Sequence, residues 1–179
     1  GDTFTLTAGA NLTLGGSSST ITIPSGATIT NSGTANGFGG GKINQVLSAT
    51  NTNSTASSST SFVETVGTHS ITPTATDSKI FVVTNFGVKN PQHNQAYFTL
   101  YRDVSGGSAT NLGDSTYGLV GSKYAGGEAK EVYGMSFLDS PSTTSNTEYK
   151  VYVKSVNAST VTMNPDSSKW SITLMEVLA

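Results

Sequence analysis

The sequence contains no cysteine in 179 residues. Disulfide staples, thiolate zinc sites and cysteine nucleophiles are thereby excluded, and stability has to come from burial and association. Charge is scarce as well. Asp, Glu, Lys and Arg make up 11% of the chain and the net charge is −2, where an ordinary soluble domain carries roughly 25% charged residues. Nine basic residues give no electrostatic footprint for nucleic acid. Long apolar runs are missing, the longest being Ile80-Phe81-Val82-Val83. A membrane-spanning helix needs about 20 apolar residues, so no membrane insertion is expected. Disorder driven by high net charge is excluded by the same near-neutral balance. The first basic residue is Lys42, so the basic start of a signal peptide is lacking, and the sequence is expected to be a piece of a longer or cleaved chain.

Hydroxyl groups take the place of charge. Ser and Thr together number 54, and Gly adds 20. The expectation is a soluble, hydroxyl-rich, extracellular β-structure.

An internal repeat opens the chain. Thr3-Phe4-Thr5-Leu6-Thr7-Ala8-Gly9-Ala10-Asn11-Leu12-Thr13 aligns with Thr20-Ile21-Thr22-Ile23-Pro24-Ser25-Gly26-Ala27-Thr28-Ile29-Thr30 at an offset of 17 residues. Each copy reads as a short strand, a turn at Gly9 or Gly26, and a second short strand. Alternation puts Phe4, Leu6, Ile21 and Ile23 on one face and threonines on the other. Such a unit cannot bury its apolar face alone, and about three copies are needed for a stable stack. The chain has two, so neighbouring chains, or a longer solenoid of which this is a part, are expected to supply the rest. A Gly-rich joint, 35–42, follows. The tract Asn51 to Thr60 has no apolar side chain larger than Ala56 and reads as a solvated loop or an extended crossing.

From residue 43 onward the signals are strands. Candidates lie at 43–49, 61–66, 68–75, 79–89, 95–103, 116–120, 130–138, 147–156, 159–163 and 169–178, separated by turn signals such as Asn90-Pro91 and Asn164-Pro165-Asp166. No window shows a helical period. Short strands at this spacing predict an all-β sandwich or barrel. The division is therefore a β-repeat segment over 1–34, a hinge over 35–42 and a β-sandwich over 43–179. Alternation assigns Tyr149, Val151 and Val153 to the core, with Lys150, Tyr152 and Lys154 outward. Ala96, Phe98 and Leu100 face in, with Tyr97 and Tyr101 outward. Trp170, Ile172 and Leu174 oppose Ser171, Thr173, Met175 and Val177. Outward Tyr, Met and Val side chains are typical of interfaces.

Catalytic patterns are sparse. The strained Gly-x-Ser-x-Gly elbow does not occur, and the two histidines, His69 and His93, read as a plain strand residue and an exposed loop residue. Glu128 and Glu131 could form a carboxylate pair of the glycosidase kind, but read as a solvated strand edge beside Lys130. The aspartates are isolated from one another, unlike a calcium loop, and Gly40-Gly41-Lys42-Ile43 breaks the phosphate-loop pattern. No enzyme activity, cofactor or metal is expected. Sequons at Asn11, Asn53 and Asn157 are ordinary in so Ser/Thr-rich a chain.

Two blocks carry a resemblance. Residues 20–35, Thr-Ile-Thr-Ile-Pro-Ser-Gly-Ala-Thr-Ile-Thr-Asn-Ser-Gly-Thr-Ala, resemble the shaft repeats of bacteriophage tail fibres and virion fibres, especially those of marine phages. The phrases Tyr97-Phe98-Thr99-Leu100-Tyr101-Arg102-Asp103, Asn111-Leu112-Gly113, Met135-Ser136-Phe137-Leu138-Asp139-Ser140-Pro141, Tyr149 to Lys154 and Ile172 to Val177 resemble the C-terminal heads of such fibres. The resemblance covers nearly the whole chain and lies in composition and phrase order, with no single diagnostic motif. It implies a homotrimeric fibre on the virion surface, tail or capsid, with 1–34 as shaft and a jelly-roll-like antiparallel β-sandwich head. It implies host-surface attachment or particle decoration, with other virion proteins met through the N-terminal side and a host glycan or protein as receptor. It transfers no catalytic residues.

On this reading the receptor-contact candidates are the polar loops with Gln92, His93 and Asn94 and with Lys123, Tyr124 and Glu128. The inter-subunit candidates are Phe4, Leu6, Ile21 and Ile23 in the shaft and Tyr97, Tyr101, Met175 and Val177 in the head. Two other readings compete: a carbohydrate-binding β-sandwich of a secreted bacterial protein, and a polysaccharide depolymerase.

Overall fold

The computed structural model describes residues 43–91, 93–123 and 126–178. The repeat and the hinge, with Phe4, Leu6, Ile21 and Ile23, lie outside the described residues, as do Gln92 and Tyr124. Alternating, β-branched and aromatic-rich stretches form eleven strands. They are β1 (Ile43–Asn51), β2 (Thr55–Ser57), β3 (Val63–Ile71), β4 (Lys79–Asn90), β5 (Gln95–Val104), β6 (Thr110–Asn111), β7 (Val120–Lys123), β8 (Ala129–Asp139), β9 (Thr147–Ser155), β10 (Val161–Met163) and β11 (Trp170–Val177). A single 3-10 turn, Pro165–Ser167, breaks the line between β10 and β11.

The strands make two antiparallel sheets. In the first, β4 is central, with β8 on one edge and β11 and β10 in tandem on the other. Beyond β11 and β10 lie β1 and β2. The second sheet runs β3-β9-β5, with β7 and β6 sharing the far edge of β5. The chain changes sheet between β2 and β3, β3 and β4, β4 and β5, β7 and β8, β8 and β9, and β9 and β10. Six of the ten steps from one strand to the next therefore cross to the opposite layer.

The inner faces meet in one core. Ile80, Val82, Phe86 and Val88 of β4, Met135 of β8, and Trp170, Ile172 and Leu174 of β11 pack against Ala96, Phe98 and Leu100 of β5 and Tyr149, Val151 and Val153 of β9. All three buried faces read from the alternation are thus in place. Phe86 and Phe98 meet across the layers with ring centroids 5.1 Å apart. Fully burying an aliphatic or aromatic side chain of this size contributes about 1.5–3 kcal/mol, and that is what holds a chain without disulfides.

Asp139 bonds across the layers, and Glu176 ties β1 and the connection before β4 to β11. Asp139, at the end of β8, accepts both contacts of Arg102 Nη1, at 2.9 and 3.0 Å, and the Tyr149 hydroxyl at 2.7 Å. Burial, and then the charge of Asp139, pushes the Tyr149 phenol well above its ordinary range. Glu176, fully buried on β11, accepts from Asn44 Nδ2 at 2.9 Å, Gln45 Nε2 at 2.7 Å, the Thr74 amide at 2.6 Å and the Thr74 hydroxyl at 2.9 Å. Burial pushes its carboxyl up, but the donors Asn44, Thr74 and Gln45 outweigh it and hold the group at about 2.

Several expectations are corrected. The candidates 61–66 and 68–75 are one strand, β3, whose register to β9 shifts between Glu64 and Thr68. The Ser-rich tract is not all loop: Thr55–Ser57 pairs with Val161–Met163. Residues 116–119 are a turn, and the strand begins only at Val120. Asp114 Oδ1 accepts the amides of Thr116 and Tyr117, both at 2.7 Å, and turns the chain there.

Candidate functional site

Alternation on β5 and β9 lays out the outer face of the second sheet. With Ala96, Phe98 and Leu100 inside, Tyr97, Thr99, Tyr101 and Asp103 point out. With Tyr149, Val151 and Val153 inside, Glu148, Lys150, Tyr152 and Lys154 point out, and the register sets Tyr97 opposite Lys154 and Tyr101 opposite Lys150. Two of these are covered: Asp103 is buried, and Thr99 is fully buried under the segment 111–119. Its hydroxyl donates to Asn111 Oδ1 at 2.7 Å, and the Leu112 and Leu119 amides bond the Leu100 and Phe98 carbonyls at 2.9 and 2.8 Å.

That segment holds up an aromatic side chain. Asp114 caps the turn, and the Tyr117 amide, followed by that of Thr116, holds its carboxyl below the usual carboxylate range. Gly118 closes the turn at φ +65°, and a Cβ there would lie 2.4 Å from the Phe98 carbonyl oxygen, so the position requires glycine. Tyr117 stands at the tip, 61% exposed. The Tyr97 ring lies over Gly121 of β7, where a Cβ would sit 2.7 Å from Tyr97 Cδ1. The two rings meet nearly at right angles, centroids 5.4 Å apart and planes at 78°.

The strip continues across the sheet. Lys154 Nζ lies 5.5 Å from the Tyr97 ring centre and 4.9 Å from that of Phe62, a cation-over-ring geometry on both sides. Phe62 meets Tyr101 edge-on at 6.4 Å, and Tyr101 stacks on Tyr152 at 3.9 Å. Beside the stack, Lys150 Nζ gathers three carboxylates: Glu148 at 3.1 Å, Glu64 at 3.5 Å and Asp103 at 3.7 Å. Burial raises the Glu148 carboxyl, but the Thr68 hydroxyl and Lys150 outweigh it, leaving it below the ordinary value. The Glu148 contact raises the Lys150 ammonium.

The outer face of the first sheet has a different chemistry. The register aligns Val46, Met175, Phe81 and Leu138 in one row across β1, β11, β4 and β8. Val46 and Leu138 are 53% and 51% exposed. The next rows are Ser48-Thr173-Val83-Ser136 and Thr50-Ser171-Asn85-Gly134. None of the three rows carries a charge. A shallow groove of about 300 Å³ runs between Val83, Asn85, Gly134 and Ser136.

The described receptor-contact candidates gather at one end of the sandwich, in unequal states. His93 is exposed at φ +58°, and Lys123 is exposed at the end of β7 opposite Gln95. Glu128 is exposed and pairs with Lys89 at 2.9 Å. Asn94 departs from expectation: it is 1% exposed. Its amide donates to Asn90 Oδ1 at 2.9 Å and accepts from Ser155 Oγ at 3.1 Å, while Asn90 reaches Ser122 Oγ at 3.0 Å. Asn94 therefore ties loops together and offers no surface. Of the carboxylates Glu128 and Glu131, the first pairs with Lys89 and the second accepts the Tyr133 hydroxyl.

The described inter-subunit candidates divide between the faces: Tyr97 and Tyr101 on the second sheet, Met175 and Val177 on the first. Tyr117, Phe62, Val46, Phe81 and Leu138 were not singled out by the sequence reading. For Tyr117 the signal was there, an Asp three residues ahead of it and a Gly directly after it. No protein-family model matches the chain, and the curated proteins contain no match to it.

Proposed function

We propose that the chain is a phage virion fibre protein with a jelly-roll-like head, a non-enzymatic module for host-surface attachment or particle decoration that assembles as a homotrimer. The observation that carries this reading is the uncharged outer face of the first sheet. Four strands by three rows, at strand spacings of about 4.8 Å and about 3.4 Å per residue, span roughly 400 Å². One of these rows is Val, Met, Phe and Leu, with small hydroxyl side chains in the next row, and these rows can be buried against a copy of the chain without desolvating a charge. Two antiparallel layers with six crossings between them support a jelly-roll-like reading, an architecture of capsid and lectin domains. The segment 1–34 serves as shaft and 35–42 as hinge.

The outer carboxylates favour a non-enzymatic role. Glu148, Glu64 and Asp103 surround Lys150, so these acids are taken up in an ion-pair cluster.

Light scattering on the purified chain tests the proposal. A mass about three times 18.4 kDa is expected; a clean monomer at micromolar concentration overturns the trimer. The aromatic strip favours a second reading, a carbohydrate-binding sandwich of a secreted bacterial protein, which a monomer that binds saccharide would support.

A further inference from the structure

The two outer faces differ in kind. The first is aliphatic and hydroxyl-bearing, whereas the second sets aromatic rings beside charged groups. The second also contains a corner whose geometry is fixed before any ligand arrives. Gly121 leaves room for the Tyr97 ring to lie over it, and the capped turn closed by Gly118 holds Tyr117 at 78° to that ring. Lys154 borders the corner with its ammonium over two rings, and among the described residues no carboxylate lies within 4 Å of it.

From this we infer that the corner of Tyr97, Tyr117 and Lys154, continued through Phe62 to the Tyr101–Tyr152 stack, is a saccharide-binding surface. The inference rests on the adhesion reading above and names its ligand class. A pyranose presents an apolar C–H face and a rim of hydroxyls. The first packs on aromatic rings, and the second bonds to tyrosine hydroxyls and an ammonium. A protein partner would call for aliphatic anchors, and the exposed Val46, Leu138 and Val132 are on the other sheet. Tyrosine rings held by a turn and a glycine bed lose little freedom on binding, so weak contacts yield net affinity. The Lys154 ammonium, which has no carboxylate within 4 Å among the described residues and has Asp114 as a more distant Coulombic neighbour, favours saccharides that carry a carboxylate.

The test uses the full chain on a printed array of neutral, uronate-bearing and sialate-bearing glycans, followed by titration with the best-bound glycan. Binding is expected, strongest among the carboxylated glycans. Tyr117→Ala, which removes an exposed ring at a turn tip, should lower affinity roughly tenfold while leaving the melting temperature and oligomeric mass unchanged. Lys154→Gln should weaken carboxylated glycans more than neutral ones. No bound glycan, or Tyr117→Ala binding as tightly as the parent, overturns the site. Binding confined to neutral glycans overturns the role of Lys154. A trimer that binds no glycan leaves the fibre reading standing and removes this site. A monomer whose glycan binding is lost in Tyr117→Ala does the reverse.

Discussion

Tyr149 of β9 and Asp139 of β8 reach each other from opposite layers of the sandwich, the phenol donating to Oδ2 at 2.7 Å. The same carboxylate holds Arg102 of β5. Arg102 and Tyr149 are register partners, so one acid on the first sheet clamps two neighbouring strands of the second. Tyr149→Phe removes one hydrogen bond from a buried carboxylate and should cost about 1–3 kcal/mol. Asp139→Ala leaves the mostly buried Arg102 without its partner and should cost more, about 3 kcal/mol or above. Urea unfolding at fixed protein concentration measures both, and equal midpoints for parent and Asp139→Ala would show the clamp to be idle.

The Glu176 cluster predicts acid sensitivity. Its folded carboxyl sits at about 2 against an ordinary 4.5, so the unfolded chain binds the proton more readily. The stabilisation is complete above about pH 4.5 and is lost as pH falls toward 2; it amounts to roughly 2–3 kcal/mol. Glu176→Gln should melt lower at neutral pH and show a shallower fall in melting temperature between pH 4.5 and 2. Parallel melting curves for the two proteins across that interval would contradict the account. Comparison with the variant is essential, because Glu148, Asp114 and Asp166 are also lowered.

Gly118 is both a fold and a site residue. At φ +65°, with the Phe98 carbonyl 2.4 Å from any Cβ, Gly118→Ala should destabilise by about 1–3 kcal/mol. The turn that presents Tyr117 should loosen with it, read as faster hydrogen exchange at the Tyr117 amide that Asp114 now holds. Unchanged exchange and unchanged stability would mean the turn tolerates a side chain.

Much of this was legible in the sequence where one strand face is apolar and the other polar. Tyr149 to Lys154 alternates without a break, so β9 and its outward Tyr152 and Lys154 could be read directly. Tyr97 and Tyr101 were visible as outward rings for the same reason, though not that Phe62 and Tyr117 would join them. What failed depended on distant partners. Thr55–Ser57 is a strand only because Val161–Met163 pairs with it, a tertiary effect that outweighs local composition. Glu176 looks like the polar end of a strand until Asn44, Gln45 and Thr74, more than 100 residues away, supply its donors. Asn94 is hidden by a network drawn from the ends of β4, β7 and β9. Residues 116–120 have strand-like composition, but the Asp114 cap and the left-handed Gly118 set the conformation of 116–119.

The central claim, that the uncharged face of the first sheet joins copies of the chain, is tested most directly by sedimentation of the parent beside Leu138→Glu. Leu138 lies on the edge strand β8, 51% exposed, so the charge should leave the fold intact while opposing burial of the row. The predicted result is a trimer for the parent, a monomer for Leu138→Glu, and a trimer for a control, Lys123→Glu, at the loop end. A parent that is monomeric, or a Leu138→Glu variant as trimeric as the parent, would contradict the claim.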